Sequence, residues 1–388
     1  MTGSDREGRA FEEAVATLPL IDHHVHGAFR VAPDRAAFER SITESDRGIA
    51  PGTTPFDSQV GFAILRWCAP ALGLAPHASP DEYLVRRAEL GPEEVNRRLL
   101  GRSGVSHYLV DTGFATRDLL DLRGMASSSG GQAREIVRLE SVAEEVAAGD
   151  GGAGGSADGF AKAFLERLHT RLGAGAAGTK SVIAYRFGFE FDPARPDSGA
   201  VVRAASAWLS AIAAGQRGRL TDPTLLRFAL WAGIDARVPL QVHVGFGDSD
   251  LHLARVNPLL LTDFIRQSEP SGTPILLLHC YPYHREAGYL AHIYPNVSFD
   301  VGVAVNYLGT QSEQLVAEAL EVGPFAKQLF SSDAWGPAEL HFLGALLWRR
   351  AFSAVAGRWI RSGDWSLTSA LRVASLIGRD NAKRIYHI

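Results

Sequence analysis

The sequence is poor in cysteine, with only Cys68 and Cys280 among its 388 residues. Two thiols are too few for the disulfide framework of a small secreted protein, and too few for a structural zinc site built from thiolates. Long apolar runs are missing too, since no stretch approaches the roughly 18 uninterrupted apolar residues that a membrane helix needs. The amino-terminal segment lacks the apolar core of a secretory signal. These absences favour a cytoplasmic protein that does not use a membrane.

The sequence also lacks an excess of positive charge. Lysine and arginine together number 39, aspartate and glutamate number 43, and the formal net charge is -4. A basic surplus is what neutralises a nucleic-acid backbone, so no nucleic-acid partner is expected. The expected partner is a small-molecule substrate, and association into a homo-oligomer is left open.

Short apolar runs rich in Val, Ile and Leu recur along the chain, each followed by a loop and then by a stretch with helical spacing. This alternation predicts parallel βα units, and eight units without an obvious linker predict one (β/α)8 barrel domain over residues 1–388. An open doubly wound sheet with a second domain is the alternative. The predicted strands lie at 18–24, 106–113, 134–141, 179–186, 239–245, 274–280, 297–302 and 328–334.

Residues 55–102 separate the first two predicted strands and are too many for a simple βα connection. Ser79, Pro80 and Glu82 form a helix-start signal, as the N-cap, a first-turn proline and a reciprocal capping carboxylate. The segment therefore predicts a helical insertion over one face of the barrel.

Three histidines stand within four positions of the stretch LPLIDHHVHG, residues 18–27. Alternate residues of a strand share a face, so His24 and His26 point the same way and can hold one cation, whereas His23 points away. An imidazole pair alone is a moderate signal, because two histidines need not bind anything.

Three further candidates stand near the ends of later predicted strands. They are His243 on the fifth strand, His279 on the sixth and Asp333 on the eighth. In a barrel of this kind the carboxyl ends of the strands converge, and chemistry collects there. Nitrogen and carboxylate ligands without thiolate suit Zn²⁺, and less exclusively Mn²⁺ or Fe²⁺.

The ordered motifs IDHHVHG, GTKSVIAYRFG, PLQVHVGFGDSD, PILLLHCYPYHRE, LFSSDAWG and IGRDNAKRIY resemble those of the amidohydrolase superfamily. The likeness is strongest to the amidohydrolase-2 group, which includes the amidohydrolase-like domain of FluG-type proteins. It covers nearly the whole chain and implies a distorted (β/α)8 barrel with a metal-bound water as nucleophile.

Carried over to this sequence, the resemblance implies catalytic and ligand roles for a small set of residues. Asp333 would bind metal and transfer the proton, and His279 would bind metal or polarise the substrate carbonyl. A bound divalent ion lowers the pKa of water towards about 7, so hydroxide becomes available at neutral pH. The implied metal ligands are His24, His26, His243, Asp333 and, as an open alternative, His279.

Lys180 raises the question of a second ion. Binuclear members of the superfamily bridge two metals with a carboxylated lysine on the fourth strand. Lys180, however, begins its apolar run, whereas His243 and His279 lie near the ends of theirs. By this register Lys180 lies towards the floor of the barrel, and Tyr185 or Arg186 reaches the active face. The sequence therefore favours one ion over two.

Arg186 is the main candidate for holding a substrate carboxylate, because its planar fork matches that group in two hydrogen bonds. An ion pair with Glu140 or Glu190 is the alternative. The other candidates follow a predicted ligand closely or stand next to Arg186, and each has a plain turn or packing role as its alternative. The predicted substrate-binding residues are Arg186, Tyr185, Asp248 and Trp335.

Three functions fit this sequence. The first is a metal-dependent hydrolase that cleaves an amide-type C–N bond in a small polar substrate. The second is a metal-dependent non-oxidative decarboxylase or other C–C lyase, since related barrels carry a similar ligand set. The third is a non-catalytic, metal-bearing binding module, because fold and function can separate. An intact ligand set argues against the third.

Overall fold

A computed structural model of the chain describes residues 3–114, 117–149 and 156–388. Within these residues seven parallel strands form one sheet in chain order, so that each strand pairs with the next. This order, with helices between the strands, confirms the predicted (β/α)8 barrel fold. The strands are β1 (Leu20–Val25), β2 (Val105–Asp111), β3 (Gln132–Arg138), β4 (Gly178–Ser181), β5 (Leu240–His243), β6 (Ile275–Leu278) and β7 (Val297–Phe299).

Helices enclose the sheet, and every residue of β1 and of β4 to β7 is buried. Burial on both faces is typical of parallel strands covered on both sides. No helix in the described ranges is both long enough and apolar enough to cross a bilayer. The α-helices are α1 (Gly3–Thr17), α2 (Arg35–Ser41), α3 (Gln59–Ala63), α4 (Ala69–Ala71), α5 (Pro80–Arg102), α6 (Leu122–Ser129), α7 (Leu139–Ala147), α8 (Ala157–Gly173), α9 (Ile183–Arg186), α10 (Ser198–Ala213), α11 (Pro223–Asp235), α12 (Thr262–Ser268), α13 (His284–Ile293), α14 (Gly302–Leu308), α15 (Ser312–Ala319), α16 (Ala338–Ser362), α17 (Leu367–Ser375) and α18 (Asn381–Tyr386).

The eighth predicted strand, 328–334, is not a regular strand, and that prediction is wrong. Residues 328–336 instead close the sheet through isolated parallel bridges, from Gln328 to the end of β7 and from Gly336 to Ala28 beyond β1. Between these bridges the backbone N–H of Asp333 donates to the carbonyl of His24 at 3.1 Å. Asp333 has a φ of 48°, which breaks the strand pleat at this point.

The second to the seventh strands all end before their predicted bounds, and a helix takes up the rest of the third and the fourth. β3 stops at Arg138 and α7 begins at the next residue, so Glu140 lies in the first turn of a helix. β4 stops at Ser181, and the rest of its run forms the single turn α9. An apolar run does not distinguish a buried strand from a buried helical turn, and both runs are largely buried here.

The connection between β1 and β2 is helical, but its helices begin at α2, before the predicted start at residue 55. The predicted capping box is present: Ser79 Oγ accepts from the Glu82 N–H at 3.3 Å, and the Glu82 carboxylate accepts from the Ser79 N–H at 2.8 Å. α5 is kinked at Gly91, which has a φ of 73°, and Pro92 follows it. Residues 40 and 43–46 of the connection line the pocket at the strand ends, whereas α5 packs against α6 and α16.

Candidate metal centre and active-site pocket

Five predicted side chains converge at the carboxyl ends of the strands. His24 and His26 come from the end of β1, His243 ends β5, His279 follows β6, and Asp333 lies in the closing segment. Asp333 Oδ1 is 3.0 Å from His24 Nε2 and 3.7 Å from His26 Nε2. Asp333 Oδ2 is 3.5 Å from His279 Nε2, and the rings of His243 and His279 are 4.2 Å apart.

This cluster fits a bound cation. Single ligand atoms of His24, His26 and Asp333 all lie within 4.8 Å of one another. The Nε2 atoms of His243 and His279 are buried and have no hydrogen-bond partner among the described residues. A buried polar atom without a partner costs on the order of 1–3 kcal/mol, so these nitrogens call for a ligand. A divalent ion would satisfy them.

Hydrogen bonds orient three of the histidine rings. His24 Nδ1 is 2.8 Å from the side-chain oxygen of Gln241, and the Nδ1 atoms of His26 and His279 are 3.2 and 2.9 Å from backbone carbonyls. Each of these oxygens accepts from an Nδ1–H, which leaves the lone pair on Nε2. That is the tautomer that a metal ligand needs.

Gln241 is a residue that sequence reasoning missed. Its amide nitrogen donates to the His23 carbonyl at 2.7 Å and to the Tyr386 hydroxyl at 2.8 Å, which fixes the amide for His24. His23 itself faces away from the cluster and is 2.9 Å from Asp300. The signal that could have found Gln241 is a buried polar residue inside an otherwise apolar strand, two positions before His243.

The electrostatics favour neutral imidazoles and an ionised carboxylate. Burial lowers the pKa of His26 to about 3 and that of His279 to about 4. Burial also lowers the pKa values of His24 and His243. Burial alone would raise the pKa of Asp333, but His279 and His24 together hold it well below its usual value. These are the protonation states in which such groups bind metal.

Lys180 lies in this cluster, and its predicted position towards the floor of the barrel is wrong. Its Nζ is 2.7 Å from His24 Nε2 and 3.5 Å from Asp111 Oδ2. β4 has only four residues, so Lys180 stands one residue before its carboxyl end. The register argument failed because it counted the turn of α9 as strand. Burial lowers the pKa of the Lys180 amine.

Two further residues that sequence reasoning missed lie beside Lys180. Arg138 at the end of β3 donates through Nη2 to Asp111 at the end of β2, over 2.7 Å, and both residues are buried. Arg138 and Lys180 hold the pKa of Asp111 below its usual value against the effect of burial. Both residues lie two or three positions before the predicted strand ends at 113 and 141, so the convergence of strand ends did not single them out from the sequence.

A pocket of about 560 Å³ opens over the cluster. The ring of Tyr185 contacts that of His243 at a tilt of 51°, with centroids 4.3 Å apart, and Trp335 meets the ring of Phe114 edge-on at 5.4 Å. All four predicted substrate-binding residues line the pocket. The lining comprises His26, Arg40, Thr43, Glu44, Ser45, Asp46, Phe114, Arg138, Lys180, Val182, Tyr185, Arg186, Arg219, His243, Asp248, Asp250, Asp333 and Trp335.

Arg186 has an acidic partner, but not one of the two predicted. Its Nη1 is 2.9 Å from Glu144 Oε1. Glu140 instead accepts from the Ser181 hydroxyl at 2.6 Å and fixes the end of β4. Glu190 binds Arg255 at 2.9 Å.

The fold and the cluster define a (β/α)8 barrel with a candidate metal site at its strand ends. The amidohydrolase family model matches residues 115–388, and the chain belongs to that family. The match begins after β1, so His24 and His26 lie outside it. Family membership indicates an enzyme and implies a divalent metal.

Two relatives match at 29% identity. One is the protein fluG of Emericella nidulans, aligned over 96% of this chain and 46% of that protein, so the chain spans about half of its length. The other is a crystal structure from Lactobacillus casei ATCC 334, assigned as a metal-dependent hydrolase, with 97% of each chain covered and a TM-score of 0.83. A uronate isomerase from Thermotoga maritima shares the fold at 15% identity, with a TM-score of 0.63 over 100% of this chain and 99% of its own.

Proposed function

We propose that this protein is a metal-dependent hydrolase that cleaves an amide-type C–N bond in a small polar substrate. The observation that carries the proposal is the pair of buried Nε2 atoms of His243 and His279, which have no hydrogen-bond partner in the described part of the chain; that of His279 lies 3.5 Å from the Asp333 carboxylate. Neutral imidazoles and an ionised acid are donors that hydrolytic Zn²⁺ sites use, and hydrogen bonds orient three of the four rings here.

The metal would be held by His24, His26, His243 and Asp333, with His279 as a further ligand. We propose Zn²⁺, with Mn²⁺ or Fe²⁺ as alternatives that the same donors accept. When bound, a divalent ion polarises a carbonyl and makes hydroxide available near neutral pH.

Asp333 is proposed to move the proton. Its carboxylate is ionised and stands between His24 and His279, so it accepts a proton from the attacking water and returns it to the leaving amine. His279 donates through Nδ1 to a backbone carbonyl, and burial lowers its pKa to about 4. A neutral ring in this tautomer has no proton on Nε2, which supports the ligand role over polarisation of the substrate carbonyl.

Lys180 is proposed as a positioning residue at a site with one ion. Its amine contacts His24 and lies close to Asp111. Metal analysis and intact mass test this together: we expect one ion per chain and an unmodified lysine. Two ions per chain, with the mass of an added carboxyl group, would replace this proposal with the bridged binuclear site.

The proposed function is tested by metal analysis and by screening the purified protein against amides. We expect a stoichiometric divalent ion, and we expect His24→Ala to lose both the ion and turnover. The matched control is His292→Ala, an exposed histidine of α13. The proposal fails if the protein carries no divalent ion and His24→Ala turns over its substrate normally.

A metal-dependent decarboxylase is the second candidate. Arg138 and Arg186 line the pocket and could hold a carboxylate, and Phe114 and Trp335 could contact an aromatic acid. Release of CO₂ from aromatic or enoic acids without water-dependent cleavage of amides would establish it. A metal-loaded protein inert on both panels would indicate a binding module.

A further inference from the structure

The pocket over the candidate metal centre carries opposite charges on different walls. Arg138, Arg186 and Arg219 form what we call the basic wall, on the β3 and β4 side of the barrel. Glu44 and Asp248 form the acidic wall, on loops that follow β1 and β5. Both walls border the same cavity, so one bound molecule can contact both.

Glu44 faces other acids. The charged groups that act on it most strongly are Asp333 and Asp248. Burial, followed by the charge of Asp333, raises the pKa of Glu44 to about 7. Glu44 is partly buried, and the Tyr307 hydroxyl beside it carries no positive charge, so a cation brought by a ligand would stabilise its ionised form.

The position of Glu44 is fixed by its neighbours on the segment 42–50. Asp46 accepts from the backbone N–H of Ser249 at 3.3 Å, and Arg47 Nε donates to the Ser249 hydroxyl at 2.9 Å. These bonds join the loop after β1 to the loop after β5 above the pocket. Glu44 therefore lines the pocket on a segment that side-chain hydrogen bonds two and three residues later tie to Ser249.

Arg138 and Arg186 of the basic wall have N–H donors that a ligand could use, whereas Arg219 donates to Asp250 at 2.6 Å and to the Tyr185 carbonyl at 3.2 Å. Arg138 uses Nε and Nη2 on Asp111, at 3.1 and 2.7 Å, which leaves Nη1 available to a ligand. Arg186 Nη1 lies near Glu144 but is buried without a well-formed hydrogen bond. Burial lowers the pKa of Arg186 against the opposing charges of Glu144 and Glu140, and the charges of Arg219 and Arg138 add to the lowering. A ligand carboxylate would relieve this repulsion and accept from the free donors.

We propose that the substrate of this site carries a carboxylate, held by the basic wall, and an ammonium group, held by Glu44, on opposite sides of the amide bond. Only the amide bond in this inference rests on the proposed function. The two charges on the substrate are inferred from the two walls and do not depend on which bond is broken.

Calorimetry on the metal-loaded protein tests the charges with defined probes. Glycyl-glycine, β-alanyl-glycine and 4-aminobutyryl-glycine carry both charges at three spacings. N-acetylglycine lacks the ammonium group, and glycine methylamide lacks the carboxylate. We expect the best doubly charged probe to bind at least about tenfold more tightly than either singly charged one, a difference of about 1.4 kcal/mol.

Two substitutions should each weaken binding of a different class of probe. Glu44→Gln should weaken probes with an ammonium group about tenfold and leave N-acetylglycine unchanged, whereas Arg186→Gln should weaken probes with a carboxylate and leave glycine methylamide unchanged. Glu44→Asp keeps the charge, and Glu93→Gln removes an exposed acid of α5 as the distant control. If Arg186→Gln loses its thermal transition, Arg219→Gln repeats the test on the same wall.

Equal binding of doubly and singly charged probes, or a Glu44→Gln effect that ignores the ammonium group, would overturn the inference. Amine release is measured on the same samples. Charge discrimination without hydrolysis upholds this inference and rejects the amide hydrolase. Hydrolysis without charge discrimination does the reverse.

Discussion

Single residues at the strand ends determine the chemistry available to this barrel. His279 and Asp333 both adopt positive φ, 41° and 48°, although neither is glycine. Such a backbone costs on the order of 1–3 kcal/mol and persists where the surroundings enforce it. Here it brings Nε2 of His279 to within 3.5 Å of the Asp333 carboxylate. The strained backbone thus lies where the candidate metal ligands meet.

The sequence alone predicted the five convergent donors, because residues at strand ends converge in a barrel whatever the loop lengths. It did not predict Gln241 or Glu44. Gln241 acts through the ring of His24, and Glu44 depends on how a loop crosses the barrel mouth. Neither contact leaves a periodic pattern in the sequence, because each brings together residues that are far apart in the chain.

Gln241 should affect metal binding without touching the metal. Gln241→Ala removes the acceptor of His24 Nδ1–H, and we expect metal affinity to fall about 10–100-fold because the ring is no longer oriented. Competition with a chromophoric chelator measures this. Gln314→Ala, on the exposed face of α15, should bind metal as the unaltered protein does. Equal affinities for the two variants would show that Gln241 does not orient the ring.

His341 should make the protein sensitive to acid. Both ring nitrogens of this buried residue lack partners among the described residues, and burial lowers its pKa to about 3. The unfolded chain takes up this proton near pH 6.5, so stability falls as the pH drops below that value. Between pH 6.5 and pH 5 the loss is about 2 kcal/mol.

Urea unfolding of His341→Leu at pH 7.5 and pH 5 isolates this contribution from the other buried histidines. We expect the unaltered protein to lose about 2 kcal/mol more than the variant on acidification. Parallel losses in the two proteins would mean that His341 is protonated in the folded state.

At the scale of elements, the pattern of apolar runs predicted which segments form strands. It was less accurate about the residues at which the strands end. In the run from Thr179 to Arg186, the apolar residues 182–184 are buried as β4 is, although they lie at the start of the turn α9. Hydrophobicity indicates which residues are buried. The backbone changes from strand to helical turn at Val182 without any change in burial at that residue, so the apolar pattern gives no sign of it. That is why Lys180 was placed on the wrong level of the barrel.

Helix α5 offers a test of backbone conformation with a matched pair of glycines. A Cβ at either Gly91 or Gly101 meets no atom within 4 Å, but only Gly91 has a positive φ, of 73°. Gly91→Ala should therefore lower the free energy of unfolding by about 1–3 kcal/mol, because its ψ of 165° places it in a backbone region that essentially only glycine adopts. Gly101→Ala should raise it by up to about 1 kcal/mol, because alanine favours the helix. Chemical denaturation measures both, and shifts of the same sign would contradict the kink.

At the scale of the whole molecule, a bound ion would connect strands from opposite ends of the chain. A ligand that binds only the folded state at 100 times its dissociation constant adds about 2.7 kcal/mol to stability. We expect Zn²⁺ to raise the melting temperature of the metal-free protein by a few degrees. The double variant His24→Ala, His26→Ala should show no such rise, and a rise of the same size would place the stabilising ion elsewhere.

The closing segment, residues 328–336, determines when during synthesis the candidate metal site can be completed. Asp333 reaches the histidines of β1 only through backbone bonds that close residues 328–336 onto the first strand. During synthesis, the opening strand must therefore wait for about three hundred further residues before its ligands are complete. All the proposed ligands can therefore bind the ion only late in synthesis. A nascent chain that ends before residue 328 has the histidines of β1 but lacks Asp333.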